Sequence, residues 1–443
     1  MTHTKTASRR DFLAGSLALG AGAALAAQAG FARSAHAAGS DTLKVALIGC
    51  GGRGNGAVVN CLDADKGIRI IAIADCFEER VKSTAQRLRK LSDKPEYAGR
   101  IELPDERTFV GLDAYEKAIA CGPDMVIIAT PPGFRPLQYS AAIKAGKHVF
   151  MEKPVCVDAP GYRTVVEANK LADEKGLKVG VGLQRHHQAP YVETVKRLHD
   201  GAIGDILFLR AYWNGGLIWY REREPWMSEM QYQVHNWYHF CWLSGDNICE
   251  QHVHNLDVCN WVKNDHPVEA NGMGGCTARY AGKHRGKGQI FDHHCVEFTY
   301  QDGTKMFSQC RHMQGCWGSV SEAAHGTKGT SNCANWIKTD TEWKSSAKGK
   351  DPYVQEHIDL IAAIRNSEKY YNEGWFGATS SMTAVLGRMA TYSGQVVKWD
   401  EAVAKGTSQF PKVLAWDAPA PVQKNDAGDY PIPVPGVWDP FVM

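Results

Sequence analysis

The sequence predicts two domains of different class: a parallel, doubly wound α/β sheet, followed by an α+β domain on an open, mostly antiparallel sheet. Three observations predict this. Residues 41–185 alternate short apolar runs with amphipathic stretches, as parallel strands joined by helical crossovers do. The run Lys44-Val-Ala-Leu-Ile-Gly49-Cys-Gly51-Gly-Arg-Gly54 is a strand entering a glycine-rich turn. From about Tyr191 the apolar runs lengthen and alternate, and Asp302-Gly303 marks a hairpin between two of them.

In order, Thr42–Ile48 reads as a strand and Gly54–Leu62 as a helix start. The strand Ile68–Ala74, the helix Glu78–Leu91, the helix Asp113–Ala120 and the strand Met125–Ala129 follow. Helix Arg135–Ala145, strand His148–Met151, helix Asp158–Lys175 and strand Lys178–Gly182 complete the first sheet. In the second domain, residues 186–408, Tyr191–Asp200 is a helix; Ile206–Trp213, Glu269–Arg279, His294–Tyr300 and Thr304–Cys310 are strands. Val354–Arg365 and Ser380–Val397 are late helices that can pack back on the first domain. The tail, residues 409–443, is rich in proline and is expected to run non-helically over the surface of this subunit or a neighbour.

Residues 1–38 stand apart. Ser8-Arg9-Arg10-Asp11-Phe12-Leu13 is a twin-arginine pattern, followed by a weakly apolar Ala/Gly/Leu run and the small-x-small site Ala35-His36-Ala37. This predicts export by the twin-arginine route and a periplasmic or extracytoplasmic location, with cleavage rather than stable membrane insertion. The formal charge of +2 and the lack of a basic stripe argue against nucleic acid. The 13 cysteines include no Cys-x-x-Cys pair, so no zinc ribbon or redox motif is indicated. Folding in a reducing cytosol before export would leave such thiols unpaired.

Gly49, Gly51 and Gly54 fit G-x-G-x-x-G between a strand and a helix. Gly49 permits the tight turn, Gly51 lets a pyrophosphate approach, Gly54 lets helix and strand pack closely, and Gly52 and Arg53 sit at the same helix start. Asp75, about twenty residues on, is placed to accept the ribose hydroxyls. Its carboxylate favours NAD; Arg53 and Arg80 keep NADP as the alternative. Thr130-Pro131 ends the strand that approaches this cofactor. Glu152-Lys153-Pro154 ends the next, placing an ammonium where it can donate to a substrate oxygen.

The second half of the constellation is Cys249-Glu250-Gln-His252-Val-His254-Asn-Leu-Asp257-Val-Cys-Asn-Trp261. On one continuous helix Glu250, His254, Asp257 and Trp261 share a stripe. His254 is then a natural proton acceptor and Glu250 an orienting or proton-sharing acid. A solvated face is the bland alternative. Glu250 and His254 could pair on a metal, but no third ligand is evident and no metal is expected. Arg185 and His186 follow a glycine-rich strand end and, with Asp257 and Tyr238 of an aromatic-rich insertion, are expected at the substrate.

These residues resemble the Gfo/Idh/MocA oxidoreductases: the glycine turn, Glu152-Lys153-Pro154, and the Glu-x-x-x-His-Asn-Leu-Asp segment. The resemblance spans Leu43 to Val397. It implies a Rossmann domain, NAD(P), an open sheet used for substrate binding and homo-oligomer contacts, and Lys153 with His254 acting on a sugar or polyol hydroxyl. Two departures stand out: Glu250 where the family has Asp, and Pro132-Gly133-Phe134-Arg135 where many members have Asn and a nearby His. Export adds the expectation of a tightly bound, internally recycled NAD. A redox-neutral NAD-dependent glycoside hydrolase and a catalytically inactive sugar-binding protein are the alternatives.

Overall fold

The computed structural model describes residues 42–277 and 287–442. The twin-arginine segment and the end of the Glu269–Arg279 run lie outside the described residues. The first sheet holds β1 (Leu43–Ile48), β2 (Ile68–Asp75), β3 (Thr108–Val110), β4 (Met125–Ile128), β5 (His148–Met151) and β6 (Val179–Val181). Their order is β3-β2-β1-β4-β5-β6, and every pairing is parallel. Strand order reverses between β1 and β4, which opens a crevice at their carboxyl ends. Apart from exposed Lys44, β1 and β4 are apolar because both faces are covered by helices.

One of those coverings comes from the far end of the chain. Leu360, Ile361 and Ile364 of the helix Pro352–Arg365 share a core with Leu47, Ile70 and Phe150. Gly180 leaves room for Leu360, whose Cδ2 would lie 3.0 Å from a Cβ placed there. The helix Gly374–Ser393 runs between the two sheets' cores, with Ala378 in the first and Met382, Val385 and Leu386 in the second.

The second sheet contains β7 (Ile206–Gly215), β8 (Pro267–Gly275), β9 (His293–Tyr300), β10 (Lys305–His312), β11 (Ser319–Gly326), β12 (Thr330–Ser331), β13 (Trp336–Lys338), β14 (Glu342–Lys344) and β15 (Val397–Lys398). The order is β14-β13-β12-β11-β7-β10-β9-β8-β15. All pairings are antiparallel except β7 with β10, where Lys305 pairs with Phe208. That parallel pair is reached by a long crossover, which a hairpin cannot supply. Alternate residues of β9 and β10 are buried, so one face meets the helices and the other stays open. The short strands β12 to β15 carry too few residues for a periodic signal.

The tail is non-helical, as expected, but it does more than lie on the surface. Ala420, Val422 and Tyr430 are buried in one cluster with Phe134, Met230, Tyr232 and Trp242. Tyr430 stacks parallel on Tyr232 at 6.2 Å, and the Gln233 amide donates to the Val422 carbonyl at 2.6 Å.

Leu360→Ala should destabilise the protein by about 2–5 kcal/mol, since the site is fully buried and its walls are strands that cannot collapse inward. Denaturant unfolding of the two proteins measures this; an unchanged midpoint would mean the helix does not seal the first sheet.

Candidate active site

The glycine turn is shaped by two close approaches. Gly49 has φ +102°, and a Cβ there would lie 2.6 Å from the backbone of Ala129 and Thr130. A Cβ on Gly54 would collide with the Gly49 carbonyl. Gly51 and Gly52 face open space, with only Arg80 Nη1 at 4.0 Å from a Cβ on Gly51. The turn therefore leaves a bare backbone cradle at the start of the helix Gly52–Ala64, which fits a pyrophosphate. Asp75 closes the other side. Its carboxylate accepts from the Cys50 amide at 2.8 Å and the Phe77 amide at 2.9 Å.

The strand ends that follow are fastened to one another. Arg135, buried, donates to the Thr130 carbonyl at 2.7 Å and the Pro154 carbonyl at 2.5 Å. It thus joins the Thr130-Pro131 wall to the Lys153-Pro154 turn, and burial brings its pKa down to about 10. Arg53 pairs with buried Glu152 at 2.5 Å. Gly182 makes space for that carboxylate, since a Cβ there would lie 2.5 Å from Glu152 Oε2.

Lys153 reaches across to the second domain. Its Nζ donates to the Glu250 carbonyl at 2.5 Å and lies 3.3 Å from Glu250 Oε1. Burial pushes the Glu250 carboxyl up against the opposing pull of Lys153 and Arg135, and its Oε2 has no hydrogen-bond partner. Burial pushes the His254 imidazole well below its ordinary value, aided by the positive charges of Lys153 and Arg185. His254 Nδ1 is likewise buried without a partner, and the ring lies parallel to Trp213 at 6.0 Å. Arg185 is held by buried Glu322 at 2.5 Å, which also accepts from Tyr191 at 3.0 Å and from Asn255.

One cleft of ≈ 730 Å³ is lined by the glycine turn, Asp75, Thr130, Pro131, Glu152, Lys153, Arg185, Glu250 and His254. That volume suits a small-molecule site. The helix expected to carry Glu250 and His254 is two helices, Asn247–Glu250 and Val253–Lys263, broken at Gln251-His252. At the break, buried His252 bonds Ser308 Oγ at 2.7 Å. The predicted stripe is therefore interrupted: Glu250 and His254 still line the cleft, whereas Asp257 and Trp261 do not.

Three residues expected at the substrate do not line the cleft. His186 is stacked between Trp261 at 4.1 Å and Phe376 at 4.2 Å, and its Nε2 meets Asp257 at 2.8 Å. Asp257 also accepts from Ser380 at 2.8 Å, so the pair pins the turn after β6 to two helices. Tyr238 is buried and its hydroxyl meets His312 Nε2 at 2.9 Å. In their place the cleft takes Trp213, Trp219, Arg221, Trp237, Gln251 and Tyr353. Tyr353 lies beneath the Arg53 guanidinium, 4.8 Å from ring centre, some 300 residues along the chain; no local pattern announces it.

Residues 43–183 match the Gfo/Idh/MocA family, an oxidoreductase family with an NAD-binding Rossmann fold. The match is confined to the first domain of the chain. The inositol 2-dehydrogenase of Klebsiella pneumoniae strain 342 is 25% identical over 224 residues, 51% of this chain and 55% of that protein. The chain thus spans about half the length of the curated relatives it matches. Among solved structures, aldose-aldose oxidoreductase from Caulobacter crescentus complexed with glycerol aligns with TM-score 0.61 at 16% identity, covering 81% of this chain and 99% of that one. Scyllo-inositol dehydrogenase from Lactobacillus casei with bound NAD(H) and scyllo-inositol gives 0.60 at 16%, covering 81% and 99%. These likenesses share the family's arrangement of a Rossmann domain and a mixed second sheet. NAD is the cofactor of the family's first domain.

Two predictions follow from the geometry. Gly51→Ala fits without steric clash but fills the cradle, so NAD affinity should fall at least about tenfold with the melting temperature nearly unchanged; calorimetric titration and thermal melts read the two effects. The second concerns pH. Burial keeps His254 neutral and holds His252 and His357 down to about 3, whereas an unfolded imidazole titrates near ~6.5. The unfolded chain binds protons first, so this stability is present above about pH 6.5 and is lost as pH falls below it. The melting temperature should drop steadily from pH 7 to pH 5; a flat profile would mean these imidazoles are charged in the folded state.

Proposed function

We propose that the protein transfers a hydride between NAD and a secondary hydroxyl of a sugar or cyclic polyol. The observation that carries this is the convergence of the glycine turn and Asp75 with Lys153, Glu250 and His254 in one cleft. When bound, the nicotinamide supplies the hydride acceptor. His254, neutral because it is buried, takes the hydroxyl proton. The Lys153 ammonium donates to the same oxygen and steadies its charge in either direction of transfer. Glu250 orients Lys153 through two contacts and offers its unpartnered oxygen to a neighbouring hydroxyl. Trp213 beside His254 presents an aromatic face of the kind that sugar and polyol rings stack on.

The names of the relatives, inositol dehydrogenases and an aldose-aldose oxidoreductase, support a polyhydroxylated ring as the substrate class. The twin-arginine pattern Arg9-Arg10 supports export after folding, and an exported enzyme meets no pool that reoxidises a released cofactor. The NAD is therefore retained and returned to its starting state within each cycle. Exposed Leu207, Phe307 and Val320 on adjacent strands β7, β10 and β11 support a homo-oligomer through the open face of the second sheet.

Lys153→Ala should lower turnover by about 10²–10⁴-fold while bound NAD is kept. Nicotinamide absorbance in a screen of inositols, aldoses and glycosides, with mass spectrometry of the purified protein for bound nucleotide, makes the test. A fully active variant would remove the hydride-transfer assignment.

A further inference from the structure

The adenosine side of the cleft has a wall that the Rossmann fold does not provide. Trp219, Arg221 and Trp237 come from the insertion after β7, yet they line the same cleft as Asp75, Arg80 and Ser83. Arg221 lies over the Trp219 ring, 4.8 Å from its centre. Arg80 lies over Phe77 at 5.2 Å, and its Nη1 is the nearest side-chain atom to the open space in front of Gly51. Among the described residues neither guanidinium has a carboxylate within ion-pair distance, and Arg80 Nη2 is buried with no hydrogen-bond partner. The acids in that wall form no ion pair with them: Asp75 is held by two backbone amides, and Glu79 acts on Arg221 only through its charge at a distance. The two cations act on each other, and both hold His235 behind them neutral, which burial already drives down to about 4. Two arginines lining one cleft, with no carboxylate paired to either, are arranged for an anion.

The insertion is fastened from behind by the C-terminal tail. Ser228 donates to the Trp416 carbonyl at 2.6 Å, and Trp416 stacks on Phe77 at 5.5 Å, two residues past Asp75. Phe410 packs edge-on against Phe134 at 5.8 Å, just beyond Pro131-Pro132. The tail thus ties together the loops after β2 and β4 and the insertion that bears Arg221.

We propose that Arg221 closes over the phosphates of the bound dinucleotide opposite Arg80, and that the C-terminal tail holds this clamp shut so that the cofactor is retained. This rests on the dinucleotide assignment above. The phosphate engaged is either the diphosphate bridge, common to NAD and NADP, or the 2′-phosphate that only NADP carries. The clamp is incomplete without the insertion, so cofactor retention depends on residues outside the nucleotide-binding domain.

The test is titration of the full chain with NAD, NADP and ADP, followed by tryptophan fluorescence, with nucleotide off-rates by dilution. Arg221→Gln should weaken nucleotide binding about 10- to 100-fold, as loss of a charge-assisted contact to phosphate does, and Arg221→Lys should restore most of it. Trp416→Ala should raise the off-rate, with a thermal melt confirming that the variant is folded. An effect equal for NAD, NADP and ADP places the clamp on the diphosphate; an effect confined to NADP places it on the 2′-phosphate. If folded Arg221→Gln binds and releases all three as the wild type does, the clamp is overturned. If the wild type itself binds none of them, the dinucleotide assignment fails instead.

Discussion

Lys153 leaves the end of β5, and Glu250 ends a short helix about a hundred residues later; the contact between them is where the two domains become one site. Both side chains are largely withdrawn from water, at 13% and 10% exposure. A buried pair of this kind gains little net stability, because desolvation offsets the attraction, but losing one partner strands the other charge at a cost of about 3–5 kcal/mol. Its value lies in specification: the ammonium cannot be satisfied unless the second domain is docked in one place. Arg135 works to the same end by joining the walls after β4 and β5. The depressed His254 and the elevated Glu250 are consequences of that docking, since each owes its shift first to burial.

What could be read from the chain before folding was whatever local chemistry dictates. The strand and turn at Leu43–Gly54, Asp75 at the end of β2 and the Glu152-Lys153-Pro154 strand end follow from periodicity and from glycines that sit where a Cβ would collide. Lys153, Glu250 and His254 meet in the cleft although the helix supposed to align the last two is broken, because the break lies between them and the cleft reaches both. His186, Asp257 and Tyr238 show the limit. Each is a polar side chain at a suggestive place, and each finds its partner in a distant element: Trp261 and Phe376, Ser380, His312. Sequence cannot distinguish a polar group awaiting a ligand from one already satisfied across the fold. Tyr353 and Arg221 are the converse, drawn to the cleft by packing alone.

The buried thiols fit the same picture of a finished interior. Cys61, Cys156, Cys249 and Cys259 are buried free thiols, and burial raises all four. A thiol so protected is a poor nucleophile, and it behaves as a small apolar side chain that fills space between helix and sheet.

The helix Pro352–Arg365 has a further consequence for how this protein is made. It completes a core shared with apolar residues of β1, β2 and β5 that are translated more than two hundred residues earlier. While the ribosome is still working through the second domain, the nucleotide-binding sheet is complete in sequence, but the core on that flank, already lined by the helices Gly52–Ala64 and Glu78–Leu91, still lacks one of its helices. Its native packing must wait until residue 364 has left the ribosome. The first domain is thus first in order of synthesis but not first to be finished, and the chain commits to its native state late and as a whole.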